Sequence, residues 1–442
     1  MTRILKELAI SAALLSVTTS GAYSKDIIAE PSNGTGAAAG ASTDARAVRS
    51  SLADALDPNK DARSRCEALQ TLGTSRDEAV LLVLANTVRD PDMGVRVCAS
   101  RLAGETKNAR SVDMLRANIE SYLKSPGPNK NASDSRLAAI NSIWSLGEIG
   151  DPALMNDLVK FYKSSDNTFK INDIISIGKL AGNAGAFLKK VSASPDETET
   201  VRTAAFEMLD ELGQSLSIPG LPPSKSAGIA DGDIIFAGGL TGDITSWVSP
   251  DTPVGHAGIF AGAEIKDGRM YITICDCVPN FFDPGGVRNI RTWKNFTHQF
   301  KYPYYGNRTT SPAPTPAQRK KIVELALEMG KKGLKYDISH ISQKGPVEFD
   351  CVGYTEYLYE AAGLNPTDNS YETGWGWPLT PWEQYSGTVP DTAQAPAHSG
   401  AAAFAAAPKL PFAAAEMLKK GLFGVGGELI EAPSAIAPAI AD

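Results

Sequence analysis

Histidine and cysteine are the scarce residues of this chain, four and five among 442. So few of them exclude a multinuclear metal centre and a cysteine framework, and the odd cysteine count leaves at least one thiol outside any intramolecular bridge. Basic excess is also missing. A net charge of -7 argues against a generic nucleic-acid partner, because displacing counterions from phosphate takes a positive stripe. Past the N-terminus no apolar run is long enough to span a bilayer, so no transmembrane segment is expected. What is present, 43% hydrophobic and 21% charged residues, is an ordinary globular composition, and the length suits two or three domains with large cores. No metal and no other cofactor is expected.

Arg3 and Lys6, the mostly apolar stretch from Leu8 to Val17, and Ser20-Gly21-Ala22 have the layout of a secretory signal peptide over residues 1–22. A buried or amphipathic N-terminal helix is the alternative. The first reading implies export to a bacterial periplasm or to the medium. Residues 23–49, rich in Gly, Ala, Ser and Thr without apolar period, read as a flexible spacer.

From 50 to 213 the chain repeats itself. Basic anchors at Arg65, Arg96, Arg136, Lys170 and Arg202 are separated by 31, 40, 34 and 32 residues. Most are followed by Ala three or so residues on and by a Gly at the expected helix end, as in Leu72-Gly73, Gly104, Leu146-Gly147 and Leu212-Gly213. Asp57-Pro58, Asp90-Pro91 and Asp151-Pro152 read as helix starts, where Asp caps orphan N–H groups and Pro fits the first turn. A period in the thirties with helical spacing signals stacked helix pairs, with an irregular bundle as the alternative. The pattern resembles short HEAT-like repeats, which implies an extended surface for a protein partner.

Residues 214–226 are rich in Pro, Ser and Gly and read as a linker. From 227 to 388 the periodicity changes to short alternating strands, such as Asp233–Phe236, Ala257–Phe260 and Tyr271–Ile274. Two helices follow, Thr315 to Gly330 opened by Thr-Pro, and Cys351 to Ala362 stopped by Gly363. This is an α+β domain. Phe281 to Tyr305 reads as an aromatic and basic insertion, either a cap over a cleft or a packed surface loop. The Ala- and Pro-rich stretch 389–442 reads as a tail, with a helix possible near Ala413–Leu422.

One cysteine and one histidine stand out. Cys351 opens an apolar-periodic helix, where the helix-end field favours thiolate over thiol. His256 heads a strand that a turn through Glu264–Arg269 joins to the strand Tyr271–Cys277. A hairpin centred near residue 266 sets His256 opposite Asp276, about 5 Å away, where a carboxylate can hold an imidazole in one tautomer. A nucleophilic cysteine needs such an oriented base. Structural roles for each residue alone remain open. Cys275 and Cys277 share a strand face too far apart to bridge and read as structural or partner-facing thiols, and Cys66 and Cys98 occupy similar repeat positions. His298, His340 and His398 lack a paired motif. Trp375, Trp377, Trp382 and Tyr385 could wall a cleft or fill a core.

Gly232-Asp233-Ile234-Ile235-Phe236, the His256 strand and Phe349-Asp350-Cys351-Val352-Gly353-Tyr354 resemble the three signature segments of the NlpC-type papain-like amidase superfamily. The histidine hairpin precedes the cysteine helix here, the order of the permuted branch with the YiiX-like proteins and the lecithin retinol acyltransferase relatives. The resemblance implies that Cys351 is the nucleophile, His256 the base and then acid, and Asp276 the residue that orients it. Gly333-Leu334-Lys335-Tyr336 resembles the Gly-x-x-Tyr segment of that superfamily, which implies an oxyanion role for Tyr336; a core tyrosine is the other reading. YiiX-like proteins commonly have Glu at the position of Asp276 and a Ser-Glu pair where this chain has Val352-Gly353. The expectation is therefore an exported cysteine hydrolase of an amide or ester bond, with a cell-wall peptide as first substrate and an acyl-amide or lipid, by hydrolysis or acyl transfer, as second. An adaptor that binds a partner through its repeats is the alternative of another class.

Overall fold

The computed structural model describes residues 45–390 apart from several short stretches, of which the longest are 125–132, 239–252, 338–344 and 368–378. The expected signal peptide, most of the spacer, Trp375, Trp377, His340, His398 and the tail beyond 390 lie outside the described residues. No helix among those described is long and apolar enough to cross a membrane.

The first half is helical: α1 (Ala45–Leu56), α2 (Ala62–Leu72), α3 (Glu78–Thr87), α4 (Met93–Glu105), α5 (Val112–Lys124), α6 (Ser133–Ile149), α7 (Met155–Lys163), α8 (Asn167–Lys179), α9 (Ala184–Ala193) and α10 (Glu199–Glu211). α2, α4, α6, α8 and α10 stack in succession, and α1, α5, α7 and α9 each pack beside the even-numbered helix that follows. Each basic anchor is the fourth residue of one stacked helix, and its cation reaches into a neighbouring turn. Arg65 grips both oxygens of Asp90, Arg136 reaches Asp166 at 2.6 Å, and Lys170 reaches Glu197 at 2.7 Å. Arg202, at the end of the stack, donates instead to the carbonyls of Ser192 and Pro222. At Arg65, Arg136 and Lys170 the repeat is thus a tie between one helix and the turn before the next, whereas Arg96 reaches back to the Asp90 carbonyl before its own helix.

Two sequence expectations change. Gly104 and Gly147 do not end helices; they lie within α4 and α6, where the next stacked helix comes too close for a side chain. A Cβ on Gly147 would sit 2.7 Å from the Cα of Ser176, and one on Gly104 2.8 Å from the Cα of Ser145. Of the three Asp-Pro pairs only Asp151 caps a helical turn; α2 and α4 are capped by Asp61 and Asp92, a few residues later. Asp90 is freed to receive Arg65.

The second half holds an antiparallel sheet of β1 (Ile234–Ala237), β2 (His256–Lys266), β3 (Arg269–Val278), β4 (Gly286–Ile290), β5 (Tyr304–Thr309) and β8 (Val389–Pro390), in the order β4-β3-β2-β1-β5-β8. The short α11 (Trp293–Phe296) lies between β4 and β5. α12 (Pro316–Lys332) is opened by a capping box from Thr315 to Gln318 and closed by Gly333 in the left-handed conformation. It leads to β6 (Lys335–Tyr336), which pairs in parallel with β7 (Glu348–Phe349), and directly to α13 (Cys351–Ala361); α14 (Pro381–Gly387) follows. The chain is therefore mixed, helical first and α+β after, with 14 α-helices among the described residues.

The stretch from Phe281 to Tyr305 is not a surface loop. It supplies β4, α11 and the start of β5, and Trp293, Phe296, Tyr304 and Tyr305 are buried. They are buried because the helical half packs on them. The Trp293 ring N–H donates to Thr200 O at 2.9 Å, the Tyr304 N–H and carbonyl both bond the Asn172 side chain, and Tyr305 donates to Asn141 at 2.7 Å. The stretch read as a linker also joins this seam, with Ile218 N–H donating to Gly268 O. The described residues belong to one compact unit.

Candidate active site

β2 and β3 close through Asp267-Gly268, both with positive φ, 51° and 72°. Such a two-residue turn matches strand twist, and it centres the hairpin beyond residue 266. A bulge between Phe260 and Gly262 then takes back one residue, so that Gly258, not His256, stands opposite Asp276. The expected direct pairing is corrected to a diagonal one. His256 and Asp276 still share a face because their offset is two residues, and His256 Nε2 lies 3.0 Å from Asp276 Oδ2. Gly258 leaves the space between them open: a Cβ there would meet the Phe296 ring at 3.0 Å and Asp276 Cβ at 3.2 Å.

Asp276 is wholly buried, and burial alone would raise its pKa. Arg288, its partner across β3 and β4, outweighs that and, with the His256 hydrogen bond, holds the carboxyl at about 2. Arg288 Nε lies 2.7 Å from Oδ1 and Nη2 3.1 Å from Oδ2. Asp276 is therefore an acceptor at neutral pH. In neutral His256 the proton sits on Nε2, and Nδ1 is the basic nitrogen.

Phe296 and His298 cover the imidazole, with ring centroids 5.0 and 5.2 Å from that of His256. His298 also packs against Phe282 and Tyr302. Burial first and His256 second lower its pKa to about 3, so it is neutral at neutral pH.

Cys351 begins α13. Asp350 caps that helix with Oδ1 2.7 Å from the Gly353 N–H. The cap places a carboxylate beside Cys351, and its charge opposes the helix-end field that the sequence offered as the source of thiolate character. A base must supply what the field does not. Residues 276 and 277 point to opposite faces of β3. Asp276 meets His256, while the Cys277 Sγ lies 3.2 Å from the carbonyl of Phe349, two residues before Cys351. At this end of the sheet His256 and Asp276 thus lie on one face of β3 and the start of α13 lies by the other. Burial, followed by the nearby Cys351 charge, raises the pKa of both the Cys277 thiol and the Tyr336 hydroxyl. Tyr336 arrives there because β6 aligns it with Phe349.

The expected site residues thus fall into two sets at this sheet end, His256 with Asp276 and Cys351 with Tyr336. Both His256 and Cys351 are nearly covered, 2% and 1% exposed. Trp375 and Trp377 lie outside the described residues. Tyr385 is core, stacked edge-on against Phe236 and under Arg308, with Trp382 beside it. Sequence reasoning missed Arg288, Phe296 and His298. Arg288 pairs with Asp276 about a centre at residue 282, two residues before Pro284, so the Pro-Gly turn signal does not give that register. Among the described residues no group of three or more His, Cys, Asp or Glu could hold a metal ion. Compared with known proteins, the chain matches no family model and no curated sequence.

Proposed function

We propose that this chain is an exported cysteine hydrolase, a permuted papain-like domain of the NlpC type and YiiX-like branch behind a HEAT-like solenoid. The observation that carries the reading is the buried His256–Asp276 hydrogen bond at the sheet end where Cys351 opens α13. In this reading His256 Nδ1 takes the Cys351 thiol proton as sulfur attacks an amide or ester carbonyl. The imidazolium is stabilised by Asp276 and returns the proton to the leaving amine or alcohol. Water, deprotonated by the same imidazole, then attacks the thioester and frees the acid and the thiol. The Cys351 N–H and the Tyr336 hydroxyl are the candidate oxyanion donors, and such donors are worth roughly 3 kcal/mol each in related chemistry.

Export and superfamily resemblance make a cell-wall peptide the first substrate class and an acyl-amide the second. Labelling by two electrophilic acyl probes, one peptidyl and one long-chain, tests both the reaction and this order. The expected result is modification of Cys351 faster by the peptidyl probe, lost in His256→Ala. Equal labelling of wild type and His256→Ala removes the enzyme reading and leaves the adaptor.

A further inference from the structure

Three successive residues with side chains, His298, Gln299 and Phe300, have positive φ, 50°, 63° and 59°. In this left-handed conformation Cβ crowds the following carbonyl, which disfavours each such residue by about five- to thirtyfold in population. A run of three persists only where its surroundings hold it. Its backbone bonds, Gln299 N–H to Lys294 O at 2.6 Å, Lys301 N–H to His298 O at 3.3 Å and Tyr302 N–H to Thr297 O at 3.2 Å, close a single turn. The helical half supplies the rest. Before the turn Glu207 accepts from the N–H groups that open α11, and after it Asn172 bonds the N–H and carbonyl of Tyr304. On the turn itself the amine of Lys179, the last residue of α8, donates to Phe300 O at 2.7 Å, while Glu148 and the Trp144 ring of α6 hold that amine in place.

This turn lays the His298 ring over His256, 5.2 Å between centroids, with Phe282 and Tyr302 packed against His298 in turn. His256 is 2% exposed, so a molecule in solvent meets its imidazole only after a covering residue moves. Of the two rings over it, Phe296 belongs to α11, whose first N–H groups Glu207 holds, whereas His298 belongs to the strained turn. Opening there relieves left-handed strain and gives up the Lys179 bond.

We infer that the left-handed turn His298–Phe300 is a strained lid over the His256–Asp276 pair, latched by Lys179, and that the pair is reached from solvent when this turn opens. The helical half thereby controls access to a side chain of the α+β half. The inference concerns the cover of His256 and holds whether or not Cys351 is a nucleophile.

Gln299 separates strain from packing, because it is exposed and uncharged. Glycine takes positive φ without penalty, so Gln299→Gly relaxes the closed turn and keeps it shut; a β-branched residue is a severe outlier there, so Gln299→Val favours opening. The test is modification of His256 in the full chain by diethylpyrocarbonate at one fixed pH, resolved by peptide mass, without urea and in urea below the unfolding transition. Relative to wild type the rate is expected to fall about fivefold in Gln299→Gly and to rise about fivefold or more in Gln299→Val and in Lys179→Met. It is also expected to depend only weakly on urea, since opening one turn exposes little surface, whereas modification through global unfolding follows the full urea dependence of unfolding. One rate in wild type and both Gln299 variants overturns the lid, and so does the full urea dependence. A Lys179→Met rate no faster than wild type overturns the latch. Should Lys179→Met fail to fold, Lys179→Gln, polar but one bond shorter, decides the latch by the same comparison. None of these rates involves Cys351, so failure of the lid and failure of the hydrolase reading show separately.

Discussion

Glu207 ties the two halves together and makes their junction depend on pH. It projects from α10, and its two oxygens accept from the N–H groups of Trp293 and Lys294, at 2.8 and 2.9 Å, at the start of α11. α11 in turn holds Phe296 against His256. Burial raises the Glu207 pKa from 4.5 to about 8, against the lowering effect of those two N–H groups and with a smaller push from Asp210 and Glu211. Because the folded state binds this proton more tightly than the unfolded chain, the stabilisation is full below 4.5 and is lost as pH rises through 8. A shift of that size corresponds to something on the order of 5 kcal/mol between the two limits, at about 1.4 kcal/mol per unit. Urea unfolding of wild type and Glu207→Gln across about pH 5 to 8.5 measures it. Glutamine keeps an oxygen acceptor and cannot ionise, so the stability difference between variant and wild type is expected to grow in favour of the variant by several kcal/mol as pH rises. A difference that stays constant with pH refutes the reasoning, since it would mean that Glu207 has the same proton affinity folded and unfolded.

Three further outcomes follow from single residues. Asp173, in the middle of α8, is fully buried with no hydrogen-bond partner for either oxygen among the described residues, and burial raises its pKa well above 3.8. Its contribution therefore worsens as pH rises above 3.8, and Asp173→Asn is expected to stabilise the chain near neutral pH by about 1–3 kcal/mol, with the gain fading toward pH 4 in thermal unfolding. Gly147→Ala forces a methyl into the Ser176 backbone and is expected to cost about 1–3 kcal/mol by urea unfolding, as overpacked cores do. Gly258→Ala crowds the space through which His256 reaches Asp276, so Cys351 alkylation is expected to fall more than the unfolding midpoint does.

The helical half was legible because its anchors recur at one helical position: the fourth residue of each stacked helix is a cation, and those of Arg65, Arg136 and Lys170 find an acid in the turn before the next stacked helix, whereas Arg96 and Arg202 donate to backbone carbonyls. Gly147 was misread because a helix end and a close helix crossing both favour glycine, and only the partner helix tells them apart. The strand and helix that bear His256 and Cys351 were legible from alternation and from the apolar period that Cys351 opens. Their register was not, since a bulge is an extra residue with no compositional mark beyond Gly262 at φ 127°. His298 and Phe296 were hidden for another reason. They reach the site through packing of α11 on α10, a contact between residues about 90 apart that no local pattern encodes.

The central claim is that His256, held by Asp276, activates Cys351. The most direct measurement is the rate of iodoacetamide alkylation of each of the five cysteines against pH, resolved by peptide mass, in wild type and in His256→Ala. Burial pushes the Cys275 thiol up to about 12 and that of Cys277 well above its usual value, so both are expected to stay unmodified near neutral pH. The account expects Cys351 alone to react near neutral pH, about a hundredfold faster than in the variant, a size typical of a positioned base. Cys351 that reacts no faster than Cys277, or equally fast without His256, contradicts it.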